Sequence, residues 1–359
     1  MKKRWAVTIA GALAGALALS ACGGGGGAGG GGDDGEREEV TLTFVTGFPE
    51  KLVNNQGFWM FRDKLKENAP WVTIDYRGGP EVIPPNQMME GVSSGAYDGA
   101  HMPGDYYVSQ LPAMDLQRFT PFTPAEEREN GVADLWQQVH EPLGLHYVGH
   151  THSGIPQIIF LKDKIDKPDL SGKSIRTSPA TSYMVRAMGG TPVEMPGAEV
   201  YTALERNVVQ GSAWTSVGVS DLGIDDQTKY WISPRFYDSL ANTVINKDRW
   251  DSLEPETQEA ITKTINEVEP EIFDYYQKLS AEETQAWLDK GLQRIEFTDA
   301  DAEKILDIAY NKAMNDLDWD RMKEMTPQAE EIRTKFEEKY SEDLTKAVPG
   351  GVMIKGTNE

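Results

Sequence analysis

Three groups of residues have types and spacing suited to chemistry. The first is Arg176, at the end of the apolar-alternating run Ser174-Ile175-Arg176, with Thr177-Ser178-Pro179 and a helical pattern directly after it. A guanidinium at a strand tip can serve a structural carboxylate or a bound anion, since its planar fork of donors matches a carboxylate in either case. The second is His150-Thr151-His152. On a strand the two imidazoles would share a face and could bind zinc, but two ligands do not make a site and no third is signalled. Strand-end histidines, near the surface or lining a cleft, are the simpler expectation. The third is Gly91-Val92-Ser93-Ser94-Gly95, which fits G-x-S-x-G. A nucleophile elbow needs a strand before the serine and a helix after it. Here the match falls inside or at the end of a helical stretch, so no catalytic serine is expected. No Walker loop, G-x-G-x-x-G after a strand, EF-hand loop or HExxH occurs.

The elements that must position Arg176 alternate between strand and helix. Leu42 and Phe44 alternate in a strand at 41–46, and Phe58, Phe61 and Leu65 then recur at helical spacing. Val72, Ile74 and Tyr76 alternate again. A helix is expected at 86–94, a short strand at 97–102, and a single helix at 124–139 whose acidic first turn suits the helix dipole. Further strands are read at 146–149, 157–161, 174–176, 191–195 and 208–214, with helices at 182–188 and 198–206 between the last ones. This is the α/β signature. From 254 to about 291 a long helical pattern runs on, interrupted at Pro270, where proline removes a hydrogen bond and crowds the preceding turn. A strand at 294–297 and helices at 299–317 and 327–340 follow. No internal repeat is visible.

The amino-terminal segment bounds the compartment. Lys2, Lys3 and Arg4 precede an apolar run from about Trp5 to Leu19, and Leu19-Ser20-Ala21-Cys22 places small residues before the only cysteine. The run is a secretory signal, residues 1–21. Its end resembles a bacterial lipobox, which implies cleavage before Cys22 and acyl chains on its sulfur; two or three chains suffice for stable membrane anchoring. Residues 23–32 are almost all glycine, so 22–39 reads as a tether with a reach of roughly 20 Å. With a single cysteine, no disulfide forms within the chain. No later run is long and apolar enough to span a bilayer.

A net charge of −22, with 57 acidic against 35 basic residues, argues against nucleic acid and against adhesion to anionic lipid. If Arg176 holds an anion, a local site must overcome that field. The body of roughly 300 residues is long enough for two cores.

The stretch from Asp169 to Trp214 resembles the substrate-binding P subunit of tripartite ATP-independent periplasmic (TRAP) transporters, the DctP-like family. The matching pieces are Leu170-Ser171-Gly172-Lys173-Ser174-Ile175-Arg176, Gly189-Gly190-Thr191-Pro192-Val193-Glu194-Met195-Pro196, Glu199-Val200-Tyr201-Thr202-Ala203-Leu204-Glu205-Arg206 and Val208-Val209-Gln210-Gly211. Tyr76-Arg77-Gly78-Gly79-Pro80-Glu81 and Glu90–Asp98 agree, and the resemblance covers nearly all of 40–345. It implies an α/β, two-lobed periplasmic binding protein fold with a long helix spanning both lobes. Lobe I is expected at 40–150 plus 242–280, lobe II at 151–241 plus 281–345, and a tail at 346–359. Ligand would sit between lobes that close by a hinge.

In the family, the arginine at the position of Arg176 pairs with a ligand carboxylate. The sequence departs from many relatives in two places. Ala213 stands where some keto-acid binders carry an acidic residue that helps hold a cation, so no metal or other cofactor is expected; Trp214 remains to wall the ligand. Gln157 stands where many relatives present a second arginine, which suggests one firmly clamped carboxylate. Phe48, Glu81 and Tyr106, in loops after expected strands, and Tyr237, near the return crossing, complete the candidate ligand contacts. The implied function is an extracytoplasmic solute receptor. It performs no reaction, is held to the membrane through Cys22 at the periplasm or cell surface, and delivers a small organic acid to the small and large TRAP permease subunits. The rival readings are a receptor of an ATP-driven importer or sensor, and a secreted hydrolase or lyase built on His150, His152 and Glu81.

Overall fold

A computed structural model describes residues 38–340. The signal segment, Cys22, the glycine tether and the 346–359 tail lie outside the described residues. The strands in chain order are β1 (Val40–Thr46), β2 (Val72–Gly78), β3 (Gly99–Pro103), β4 (Leu145–His152), β5 (Pro156–Leu161), β6 (Ser174–Thr177), β7 (Thr191–Glu194), β8 (Gly211–Thr215), β9 (Tyr230–Ser233), β10 (Phe236–Asp238), β11 (Ala241–Asn246) and β12 (Gln293–Glu296). They form two sheets, ordered β2-β1-β3-β11-β4 and β12-β9-β5-β8-β6-β7, with β10 paired to β5. The chain enters the second sheet between β4 and β5 and returns between β10 and β11. β11 therefore lies antiparallel between β3 and β4, in a sheet whose other pairs are parallel.

Each sheet is made by the burial pattern of its strands. On β1, Leu42 and Phe44 are buried and Thr41 is exposed, as period-two alternation requires. Phe58, Phe61 and Leu65 line the inner face of the helix Gln56–Asn68, and the Phe58 ring sits 5.4 Å from that of Phe44. The second sheet packs Phe160 and Trp231 against Trp287.

Trp287 belongs to the helix Pro255–Asp289, whose 35 residues span about 50 Å. Its Ile261, Ile265, Val268 and Ile272 pack into the core of the first sheet with Phe44 and Phe58, while Trp287 packs into that of the second. One helix thus serves both lobes. It runs unbroken through Pro270, contrary to the interruption expected from sequence: the proline forfeits one backbone bond, and buried contacts on both sides hold the axis.

Two other expectations change. The single helix at 124–139 is two, Pro124–Glu129 and Val132–His140, separated by Gly131 at φ +81. Thr123 and Glu126 form a capping box on the first, and the Asn130 side chain accepts the Val132 N–H at the start of the second. The strand expected at 146–149 continues through His152, still paired with β11 in the first sheet. β9 and β10, which interleave with the crossing back, had no clear alternation to announce them.

Candidate functional site

β6 lies between β7 and β8, parallel to both, and Arg176 stands opposite Val193 and Ser212 near its carboxyl end. The side chain is 1% exposed. Its Nε and one terminal nitrogen donate to the Met195 carbonyl at 3.1 and 2.7 Å, and the other terminal nitrogen donates to the Ala213 carbonyl at 3.1 Å. These bonds use three of the five N–H groups a guanidinium carries. Its face lies 4.7 Å from the Trp214 ring. Every one of these partners is neutral, and among the described residues no carboxylate pairs with it. Burial lowers its pKa, while nearby Tyr106 and Asp105 favour the charged form. A buried guanidinium cannot shed its proton at neutral pH, and a buried charge is costly unless an anion answers it. The guanidinium thus has neutral hydrogen-bond partners and an aromatic face, with Asp105 acting on it from beyond ion-pair distance.

Trp214 is the floor of the Arg176 socket. Its indole N–H donates to the Val217 carbonyl at 3.1 Å, which fixes the ring under the guanidinium. Gly197 makes room for it: a Cβ there would stand 2.7 Å from the ring.

Around Arg176 is a cleft with about 570 Å³ of empty space between its walls, part of it open to solvent. One wall comes from the first sheet and its connections: Phe48 after β1, and Gly104, Asp105 and Tyr106 after β3. The other comes from the second: Arg176, Ser178, Ala180, Trp214 and Gln157. A third contribution, Met114, Asp115, Gln117 and Arg118, belongs to the 3-10 segment Pro112–Phe119. Strand ends and the loops beyond them build both walls, the usual place for ligands in open α/β sheets.

One aspartate ties the walls together and a second joins the crossings between the sheets. The Asp105 carboxylate accepts the Ala180 N–H at 3.3 Å, at the first turn of the helix Pro179–Ala187. Burial pushes its pKa up, although Ser178 and the Ala180 amide restrain it. Asp238 accepts the Gly154 and Ile155 N–H groups at 2.9 and 2.6 Å, so the two crossings between sheets are laced to each other. Burial pushes Asp238 up to about 7.

Five residues expected from sequence meet in this cleft: Arg176, Trp214, Gln157, Tyr106 and Phe48. Two do not line it. Glu81 is exposed and turns back to accept its neighbour Gly79 N–H at 2.7 Å, a loop-shaping role. Tyr237 is fully buried behind the wall, with its ring against Phe119 and 5.1 Å from the Arg118 guanidinium. Sequence reasoning missed Asp105, Asp115, Arg118 and Asp238. Arg118 supplies a second guanidinium to the cleft, though from the first-sheet side rather than from the strand that carries Gln157. It is ion-paired with Asp115 three residues before it. That i, i+3 pair, flanked by the apolar Leu111, Leu116 and Phe119, was the available signal.

The histidines take other work. His150 Nε2 lies 2.9 Å from Glu127, and His152 bonds the Asn54 carbonyl and the Ser239 hydroxyl. Both rings are buried. Burial opposes charge on His150, but Glu127 beside it outweighs that and raises its pKa. Burial lowers His152 to about 3, so it stays neutral. Among the described residues no group of three His, Cys, Asp or Glu is arranged to hold a metal. Ser93 ends the helix Met88–Ser93 and donates to the Leu143 carbonyl at 2.7 Å. Among the described residues no helix is long and apolar enough to cross a membrane.

Comparison with known proteins places this geometry. Residues 47–315 match the family described as bacterial extracellular solute-binding protein, family 7 (DctP). A 2,3-diketo-L-gulonate-binding periplasmic protein of Escherichia coli is 28% identical over 210 residues, 56% of this chain and 63% of that protein. A monocarboxylate 2-oxoacid-binding periplasmic protein of Nostoc is 22% identical over 231 residues, 61% of this chain and 63% of that one. The chain thus spans a little under two thirds of the length of these curated relatives. A TRAP periplasmic solute-binding protein of Desulfovibrio salexigens, with bound orotic acid, superposes with a TM-score of 0.73 at 18% identity, over 84% of this chain and 99% of that one. The likeness establishes the two-lobed periplasmic binding protein fold. With the family match over most of the two-sheet body, the chain belongs to the DctP family of bacterial extracellular solute-binding proteins.

Proposed function

We propose that the protein is the extracytoplasmic solute receptor of a tripartite ATP-independent transporter. It captures a small organic acid in the cleft between its sheets, with Arg176 on the carboxylate, and delivers it to the small and large permease subunits. It catalyses no reaction. The observation that carries this reading is the buried Arg176 guanidinium, held by two carbonyls and Trp214 and ion-paired with no carboxylate among the described residues. A bidentate carboxylate is the ligand whose geometry and charge such a group lacks. The small acids named with its relatives, 2-oxo acids and diketogulonate, are of that class. Anchoring through acylated Cys22 would keep the receptor at the membrane surface beside its permease, with residues 23–32 as the tether.

A thermal-shift screen of purified protein with small organic acids tests this, since a ligand that binds only the folded state raises the melting temperature. The receptor reading expects a carboxylate that stabilises, binds saturably in calorimetry and is recovered unchanged. Conversion of that acid to a product would establish an enzyme instead.

A further inference from the structure

The titratable groups that line the cleft are unbalanced. Arg176 and Arg118 are the cations; Asp105, Asp115 and Asp238 are the carboxylates. Arg118 is already committed to Asp115, and its guanidinium is wedged against the Phe119 ring at 4.7 Å. It is therefore not free to clamp a second ligand carboxylate. Asp105 and Asp238 have no lysine or arginine within ion-pair reach among the described residues; backbone N–H groups hold them instead. A ligand carboxylate on Arg176 adds one more negative charge to a space that already holds this excess, in surroundings where charge is screened poorly.

Resting on the organic-acid reading above, we infer that the cleft is built for a small zwitterion: one carboxylate for Arg176 and one ammonium or other cationic nitrogen turned toward Asp105 and Asp238. A dicarboxylate fits worst, because its second charge would face those carboxylates. A neutral 2-hydroxy or 2-oxo acid is intermediate, because it leaves their charge unanswered. Burial raises the pKa of Asp105 and lifts Asp238 to about 7, and among the described residues no ion pair within the cleft offsets it. A neutral-tailed or doubly anionic acid is then expected to bind with proton uptake, whereas a zwitterion brings its own compensating charge.

A four-carbon series tests this on the purified protein: 2-aminobutyrate, 2-hydroxybutyrate, 2-oxobutyrate and succinate, extended to cyclic amino acids and betaines. The expected result is that the stabilising probes are zwitterions, with the best of them at least about tenfold tighter than its hydroxy or oxo counterpart. Calorimetry in two buffers of unlike ionisation enthalpy should show no net proton uptake with the zwitterion. Asp105→Asn should shrink the preference to within a few fold. A 2-oxo acid, a hydroxy acid or succinate as the tightest probe overturns the inference and leaves the organic-acid receptor standing. Stabilisation only by compounds without a carboxylate overturns both readings. Because the proton-uptake measurement uses the unmodified protein, the inference stays testable if Asp105→Asn does not fold.

Discussion

The Asp105 carboxylate, carried by the first sheet, accepts the Ala180 amide hydrogen of the second at 3.3 Å. The Asp221 carboxylate, in the segment after β8, accepts the Val53 amide hydrogen of the segment after β1 at 3.2 Å. Asn54 donates to the Thr215 hydroxyl at 3.3 Å. Three hydrogen bonds therefore join elements of the first sheet to elements of the second.

The Asp221–Val53 contact is exposed and touches no ligand-facing group, so it reports on closure alone. Apparent affinity scales with the fraction of molecules able to close. Asp221→Ala should weaken ligand binding by roughly three- to tenfold, about 1 kcal/mol for one solvent-exposed hydrogen bond, chiefly through faster release. The melting temperature of the unliganded protein should barely move. Stopped-flow dissociation and thermal unfolding check this; an unchanged release rate would mean that the contact does not hold the cleft shut.

Gly197 touches the floor of the Arg176 socket from behind. A methyl group there meets the Trp214 ring at 2.7 Å, closer than carbon atoms pack. Gly197→Ala should displace the ring, disturb the cation–π contact and lower affinity by about 1 kcal/mol, a factor of roughly five, although Gly197 itself presents no side chain to a ligand. Calorimetry of this variant should show the loss, and equal affinity would show that the Arg176–Trp214 stack is dispensable.

Stability should fall on mild acidification. His146 stacks on Trp250 with centroids 3.6 Å apart, and burial, then the charge of Lys247, lowers its pKa to about 4. A base whose folded pKa lies below its unfolded value of about 6.5 stabilises fully above that value. Its contribution is lost as pH falls toward 4, because the unfolded chain takes up the proton first. His146→Phe keeps the stack and removes the titration. The drop in unfolding free energy between pH 7 and pH 4 should then shrink by on the order of 1–2 kcal/mol, a figure discounted for the partial exposure of His146. Urea titrations at the two pH values measure it; an identical drop in both proteins would show that His146 titrates normally. Asp238 and Glu283, both raised to about 7 by burial, act in the opposite sense over this range, so the comparison must be between variant and parent.

Cys22→Ser should abolish acylation, so that fractionated cells show the protein soluble or unprocessed rather than membrane-bound. A processed variant still on the membrane would remove the lipid anchor.

Much of this was legible in the sequence wherever a short-range pattern existed. Alternation in β1 and the 3.6-residue spacing of Phe58, Phe61 and Leu65 gave those elements, and the family resemblance around Arg176, more than its place at a strand tip, pointed to the cleft. What stayed hidden depended on contacts between distant segments. Asp105 and Asp238 look like ordinary loop and strand-end acids until the two sheets face each other. Pro270 reads as a break, and only packing against both cores keeps that helix whole. Glu81 reads as a cleft residue because it follows a strand, yet the Gly79 amide two residues away claims its carboxylate.

The central claim is that Arg176 holds the ligand carboxylate. Calorimetry of Arg176→Ala with the best-bound acid, alongside circular dichroism to establish the fold, tests it most directly. Loss of a buried charge-assisted pair predicts an affinity at least about a hundredfold weaker, roughly 3 kcal/mol, with secondary structure retained. An affinity equal to that of the parent protein in a folded variant would contradict the account.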